Sequence, residues 1–397
     1  MTAPLEGIRV VEVGNFLAAP YATMQLADLG ADVVKIERPG SGDLVRSTGP
    51  FLDGESSPFI RINRNKRSLA LDLKAPEGRE LFLKLAAAAD IIVENLSPGS
   101  MAGLGLTYET LSAEHPELIY VAASGWGQDG PYSQMSGLDI IVQGMSGIMS
   151  ITGEADGPPV KVGVPITDLT CALYAALAAV TALHVRNATG RGQFIDVSLL
   201  ESGVSLAIWE AGEYFATGKV HGRLGTAHQA STPYQAIRAS DGEFCIGAPS
   251  APTFAALCRV LGRPELVEDE RFIDNPHRFA NRPALIEELE KVTTTKPRSH
   301  WVPLLTEAGV PSGPIKSFPE VFNDEHLEFR EFFQDAPHAT LGPTRQMVSP
   351  LHFSETKTVM ERSGPRLGEH TAEVLGELGL APAEIDRLLA EKVVALP

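Results

Sequence analysis

Short apolar runs alternate with amphipathic stretches along the first third of the chain. Residues 8–13, 32–36, 68–73, 91–93 and 118–122 are rich in Val, Ile and Leu and are bounded by turn-forming residues, so each predicts a strand. Between them, residues 20–29 and 76–89 predict helices, the first stopped by Gly30 and the second opened by Pro76. Strand–helix–strand alternation with nearly continuous apolar strands predicts a parallel sheet covered by helices, an α/β fold of Rossmann-like order. The longest apolar run follows Asp168 and predicts a helix to about Arg186, with Gly163 and Pro165 punctuating its approach. Residues 222–325 differ in texture. Prolines recur through them, with helices expected at 282–291 and 299–308 and a strand at 244–247, which predicts a smaller α+β domain. Beyond it come a β-like stretch near 347–353 and a terminal helical pair, 371–378 and 382–389. The segments are thus 1–221, 222–325 and 326–397.

Composition narrows the function. The chain has 397 residues and a formal net charge of −17, with no Lys/Arg block, which argues against a nucleic-acid partner. The apolar run at 171–185 is shorter than the roughly 20 residues of a membrane span and predicts a buried helix, so no membrane partner is expected. The opening residues lack a basic stretch followed by an apolar core. Three cysteines, Cys171, Cys245 and Cys258, form no CxxC pair. That argues against a disulfide framework or zinc ribbon and favours a cytoplasmic setting.

Asp168 sits where unpaired N–H groups of a helix first turn would face it, so it is either a helix cap or a carboxylate kept ionised for nucleophilic work. The three-glycine dinucleotide turn is missing after the first strand, where the chain reads Gly14-Asn15-Phe16-Leu17-Ala18-Ala19-Pro20, with Pro20 expected at the first helical position. Arg38, Lys74 and Asn95 follow strand ends, where an open parallel sheet collects ligands and where solvated charge also collects. Two Gly-rich loops, 124–132 and 135–139, suit close approach to a ligand, and the second ends on another carboxylate, Asp139. Ser124 lacks the GxSxG setting of a hydrolase, His228 stands alone in a loop, and no motif supports a metal.

Several motifs in order carry a resemblance: PLEGIRVVEVGNFLAAPYATMQLADLGADVVKIERPGSGD, NRNKRSLALDLK, VENLSPG, the Asp168 helix with TGRGQ and FIDVSLLE, GVPSGPI at 309–315 and LGEHT at 367–371. Together they resemble the class III CoA-transferases nearly end to end. The resemblance implies a Rossmann-like large domain built from both chain ends, a small domain, and two chains interlocked as linked rings in a homodimer. It makes Asp168 the catalytic aspartate. Leu17 and Ala18 match the loop beside the thioester, and Arg38, Leu71, Asp72, Leu73, Lys74, Asn95, Leu96 and Ser97 match CoA-contacting positions. CoA and acyl-CoA enter as substrates, with no tightly bound cofactor. Departures from the formyl-CoA branch are Gly103 in place of an arginine, Leu17 in place of glutamine, and Gly247-Ala248-Pro249-Ser250 near the place of a tetraglycine loop. RLGTAH, residues 223–228, and STPYQA, residues 231–236, look closer to the succinyl-CoA:glutarate branch.

The implied reaction moves CoA from an acyl-CoA such as succinyl-CoA to a free carboxylic acid, expected to be a dicarboxylate, through an anhydride and an aspartyl-CoA thioester on Asp168. Oxyanion donors are expected at Leu169 and Thr170 or in the Gly-rich loops. Arg46, Asp139 and His228 are the candidate substrate contacts, with Arg46 and His228 expected to hold a distal carboxylate. The related racemases place a histidine where this chain has Leu138, which cannot serve as a base. Racemase or isomerase chemistry and a non-catalytic CoA-binding protein remain the alternatives.

Overall fold

The computed structural model describes residues 2–397, which fall into two compact units. The larger comprises residues 2–148, Val162–Ile208 and His326–Pro397; the smaller comprises Met149–Lys161 and Trp209–Glu325. The expected small-domain start at 222 therefore falls inside the smaller unit. Residues 149–161 and 209–217 also belong to it, and Gly225 N–H donates to the Gly153 carbonyl at 2.8 Å.

Six parallel strands form the large unit's sheet: β1 (Arg9–Val13), β2 (Asp32–Glu37), β3 (Arg67–Leu71), β4 (Ile91–Glu94), β5 (Ile119–Ser124) and β6 (Phe194–Ser198). Their spatial order is 3-2-1-4-5-6, and Val394–Ala395 adds an antiparallel seventh strand beside β3. Alternation along each strand explains the two covered faces. Val11, Val34, Ile36 and Ile92 pack beneath the helices Pro76–Ala88, Thr371–Glu377 and Pro382–Ala390. Val10, Val33, Val93 and Val121 pack beneath α1 (Ala18–Asp28) and a 24-residue helix, Ile166–Thr189.

That long helix is apolar and long enough, by length and composition alone, to cross a membrane. In this fold Ala172, Ala175, Ala179 and Ala182 form a small-residue face buried against the sheet and α1. It is longer at both ends than the expected 168–186, because Asp168 is not its first residue and Gly190, with φ +68°, ends it. Two other expectations shift. The first helix begins at Ala18, so Pro20 is its third residue. The β-like stretch lies earlier, as a hairpin of Phe333–His338 with Gly342–Met347, because Pro350 has no N–H for a ladder. β6 was not expected; its Phe-Ile-Asp-Val-Ser pattern pairs in parallel with β5. The small unit is a three-stranded antiparallel sheet, Tyr234–Ala239, Gly242–Gly247 and Ser312–Pro314, packed on helices through Phe244, Phe254, Leu257 and Trp301.

One charged cluster lies within the α1 face. Glu12, Lys35 and Lys66 are fully buried. Glu12 accepts from Lys35 Nζ at 2.5 Å, Lys66 Nζ at 2.7 Å and Thr23 Oγ1 at 2.6 Å. Burial alone raises the Glu12 pKa, but the two ammonium groups outweigh it and hold the carboxyl at about 2. Glu12→Gln strands two buried cations, so urea denaturation should show a loss of about 3–5 kcal/mol. An unchanged midpoint would mean that the cluster is solvated and structurally unimportant.

Candidate active site

The strand order reverses between β1 and β4, and in open parallel sheets ligands bind outside the strand C-termini at that reversal. A cavity of about 530 Å³ opens there. Asn15, Phe16 and Leu17 follow β1 and Asn95 follows β4; Val45, Thr48, Pro58 and Ile62 give an apolar wall; Gly137 to Ile140 and Asp168 close the far side. No Lys, Arg or His lines it among the described residues.

The β1–α1 loop is gripped at three residues and the first turn of α1 at one. Lys35 Nζ donates to the Gly14 carbonyl at 2.9 Å and lies 2.9 Å from Asp43 Oδ2, an ion pair off hydrogen-bond alignment. Asn95 accepts from Asn15 N–H at 2.9 Å and donates to the Asn15 carbonyl at 2.8 Å. Asp43 Oδ1 accepts from Phe16 N–H at 3.1 Å, and Lys66 Nζ donates to the Pro20 carbonyl at 2.7 Å. Gly14 is required by close approach, since a Cβ there would stand 2.8 Å from that of Ala19. Phe16 is held at φ +61°, a conformation costly for a non-glycine residue, with its ring half exposed in the cavity wall. The N–H groups of Ala18 and Ala19 lie ahead of the first intrahelical bond, Tyr21 N–H to the Leu17 carbonyl at 2.7 Å.

The Gly-rich loops cross backbone to backbone. A Cβ on Gly137 would stand 2.7 Å from Gly125 Cα, so both positions exclude larger residues. That crossing delivers α2 (Asp139–Met145) to the start of α3 (Ile166–Thr189). Asp139 Oδ1 accepts from Thr167 N–H at 3.0 Å and Thr167 Oγ1 at 2.7 Å, while Oδ2 accepts from Gln143 Nε2 at 2.7 Å. The capping role is thus filled by Asp139 from another helix. Asp168 is the third residue of α3, not its cap, and its carboxylate has no hydrogen-bond partner among the described residues. Burial, and then the charge of Asp139, push the Asp168 pKa up to about 7. Leu169 N–H, an expected oxyanion donor, is already bonded to the Pro165 carbonyl at 3.0 Å.

The remaining sequence candidates divide by place. Leu17, Asn95, Asp139 and Asp168 share the cavity. Arg38 and Asp72 line a second one, beyond the C-terminal ends of β2 and β3. Leu71 is buried in the sheet core and Leu73 packs against it, while Lys74 N–H donates to Asp72 Oδ1 at 3.0 Å. Ala18 is buried at the start of α1; Leu96 N–H donates to Glu94 Oε2 at 2.7 Å, and the Ser97 carbonyl accepts from Ser100. Arg46 lies outside the cavity lining and is committed elsewhere. It pairs with Glu37 through Nε and Nη2, both at 2.7 Å, and stacks on Phe59. His228 belongs to the small unit, stacked on Tyr234 at 4.9 Å, with Nδ1 accepting from Ala230 N–H. Sequence reading missed the Lys35–Asp43 grip and the capping role of Asp139; the string Lys35-Ile36-Glu37, a lysine in an otherwise apolar strand, was the available signal.

A parallel sheet with a carboxylate-bearing cavity at its reversal and cations at neighbouring strand ends defines a ligand-binding α/β enzyme. Comparison with known proteins supplies its class. The model of CoA-transferase family III matches residues 5–371. The chain is 39% identical over 393 residues to the succinyl-CoA:glutarate CoA-transferase of Mus musculus, covering 98% of this chain and 90% of that protein. It is 38% identical over 388 residues to the succinyl-CoA:mesaconate CoA-transferase of Haloarcula hispanica, covering 95% and 96%. The crystal structure of a CAIB/BAIF family protein from Brucella suis matches with a TM-score of 0.87 at 39% identity, covering 95% of this chain and all of that one. The chain belongs to CoA-transferase family III and is an enzyme of that class, acting on acyl-CoA substrates.

The raised pKa has a consequence for stability. A folded pKa near 7, against an ordinary value of 3.8, means that the native state holds a proton the unfolded state releases. Stability therefore falls as pH rises from about 4 to 7. Asp168→Asn should stabilise the protein by about 1–3 kcal/mol at pH 8, with the gain narrowing towards pH 5. Denaturant melts at the two pH values check this; a variant less stable at pH 8 would contradict the unpaired carboxylate.

Proposed function

We propose that this enzyme moves CoA from succinyl-CoA to a free dicarboxylate, with Asp168 as the nucleophile. The observation that carries the reading is the pairing of carboxylates. Asp139 takes the helix-capping bonds, which leaves the Asp168 carboxylate aimed into the cavity with nothing bonded to it. In the first step an Asp168 oxygen attacks the thioester carbonyl, and the C–S bond breaks to give an acyl–aspartyl anhydride and CoA thiolate. The thiolate then attacks the aspartyl carbonyl, releasing the donor's carboxylate and leaving an aspartyl-CoA thioester. The acceptor carboxylate attacks that thioester, and the returning thiolate attacks the acceptor side of the new anhydride, freeing Asp168. Each addition develops an oxyanion, for which the first-turn N–H groups of Ala18 and Ala19, next in the chain after the cavity residue Leu17 and ahead of the first intrahelical bond, are the proposed donors.

The dicarboxylate preference rests on the relatives, whose names specify succinyl-CoA with glutarate or mesaconate. The cavity lining supplies apolar walls and no cation, so the partner of a distal carboxylate comes from outside those residues.

Purified protein mixed with succinyl-CoA and a panel of mono- and dicarboxylates should form new thioesters, with dicarboxylates preferred. Asp168→Ala should lower the rate at least about a thousandfold. The wild-type kcat/KM should rise through pH about 7 as Asp168 ionises, then level off. Transfer by Asp168→Ala at the wild-type rate would sink the nucleophile assignment.

The active form is a homodimer of interlocked chains. Its support is the outer stripe of α3, where Leu173, Tyr174, Leu177 and Val180 stand exposed, together with Ile140 and Ile141 of α2. Light scattering should give twice the 42.5 kDa chain mass, and tagged and untagged dimers should not exchange subunits without unfolding. A monomer, or rapid exchange, would remove the proposal.

A further inference from the structure

The last helix, α4 (Pro382–Ala390), ends in a tight left-handed turn. Lys392 N–H donates to the Leu389 carbonyl at 3.1 Å and Val393 N–H to the Leu388 carbonyl at 3.0 Å, with Lys392 at φ +60°. That paired pattern closes a helix most easily with glycine at the left-handed position, and a residue with a Cβ is strained there. The turn leads directly onto the sheet. Asp72 N–H donates to the Val393 carbonyl at 2.8 Å, and Val394 pairs with Leu71. The position of Lys392 is therefore fixed by backbone bonds on both sides.

Lys392 lines a cavity of about 510 Å³ together with Arg38 and Asp72. Its other walls are apolar, chiefly Pro39, Leu389, Val394 and Leu396. Among the described residues neither Arg38 nor Lys392 has an ion pair or a side-chain hydrogen bond. The chain carries a net charge of −17, so a cavity lined by two unneutralised cations and one carboxylate runs against the sign of the whole. Two cations, one carboxylate and apolar walls match a nucleotide: phosphate for Arg38 and Lys392, ribose or base donors for Asp72, and a base for the walls.

We infer that Lys392 is a phosphate-binding residue for the nucleotide half of the acyl-CoA, and that the C-terminal segment 392–396 is a wall of that site. This rests on the transferase reading above and extends it to a segment outside the catalytic cavity. The strained backbone position makes the test decisive, because glycine there relieves the backbone while removing the charge.

Lys392→Gly should melt at or above the wild-type temperature. Its KM for succinyl-CoA should rise about 3- to 10-fold, with a shallower salt dependence, and its affinity for free CoA by calorimetry should fall in step. Lys392→Arg should keep most of the affinity. With succinyl-pantetheine, which carries no nucleotide phosphate, the variant-to-wild-type ratio should return to one. A 3′-dephospho thioester locates the contact: a ratio of one there assigns the 3′-phosphate, and a persisting defect assigns the diphosphate. An unchanged KM for succinyl-CoA, or an equal defect with succinyl-pantetheine, would overturn the inference. Wild-type protein that binds no CoA by calorimetry would instead overturn the transferase reading itself.

Discussion

The active site depends on a buried charge cluster that never touches the cavity. Glu12 on β1 holds Lys35 and Lys66, and each ammonium has donors left after the carboxylate is satisfied. Those spare donors go to the Gly14 carbonyl, at the start of the β1–α1 loop, and to the Pro20 carbonyl, in the first turn of α1. Asp43, paired with Lys35, takes the Phe16 N–H between them. Burying two lysines is expensive, and their attraction to Glu12 roughly offsets the desolvation. What the arrangement returns is position. A loop anchored at Gly14, Asn15 and Phe16 keeps a left-handed Phe16 and holds Asn15, Phe16 and Leu17 in the cavity wall without reorganisation. The glycine-rich turn of a dinucleotide site reaches a similar end by backbone freedom; here buried side chains reach it by force.

A second constraint concerns the two aspartates. A carboxylate in the first turn of a helix is normally stabilised by the N–H groups there, and a nucleophile so stabilised is a poorer one. The chain separates the roles. Asp139 arrives on another helix and occupies the capping bonds, while its charge, added to burial, raises the free energy of the neighbouring Asp168 anion. The site thereby stores instability in the group that is to form a bond. The arrangement depends on Gly125 and Gly137, whose backbones touch where the two loops cross.

How much of this was legible in the sequence follows the range of the interactions. Five of the six parallel strands and their covering helices were readable because period-2 and period-3.6 patterns are local. β6 was not, since its five residues carry mixed polarity and gain their strand character from pairing with β5. Asp168 was readable as a helix-start acid, but its displacement from the cap was not, because the displacing residue lies 29 positions earlier by number and meets it only through the glycine crossing. Arg46 shows the converse. It stands near the right strand end, yet Glu37 lies nine residues before it and claims the guanidinium in bidentate geometry. A charged residue at a strand end is available to a ligand only if no nearby acid reaches it first, and sequence does not show which acid will.

That criterion also bears on the cations beside the second cavity. Lys35, Lys66, Arg64 and Arg67 are ion-paired and hold the large unit together. Arg38 and Lys392 are unpaired, and they face one another's cavity at the end of the sheet where a nucleotide would lie. In a strongly acidic protein, long-range repulsion works against any phosphate approaching the surface, so local charge must overcome it within about a Debye length, near 8 Å at physiological salt. Leaving these two side chains without acid partners keeps that local charge available. Substrate affinity would then depend on which cations the fold leaves unneutralised, and the chain's net charge is a poor guide to its ligand.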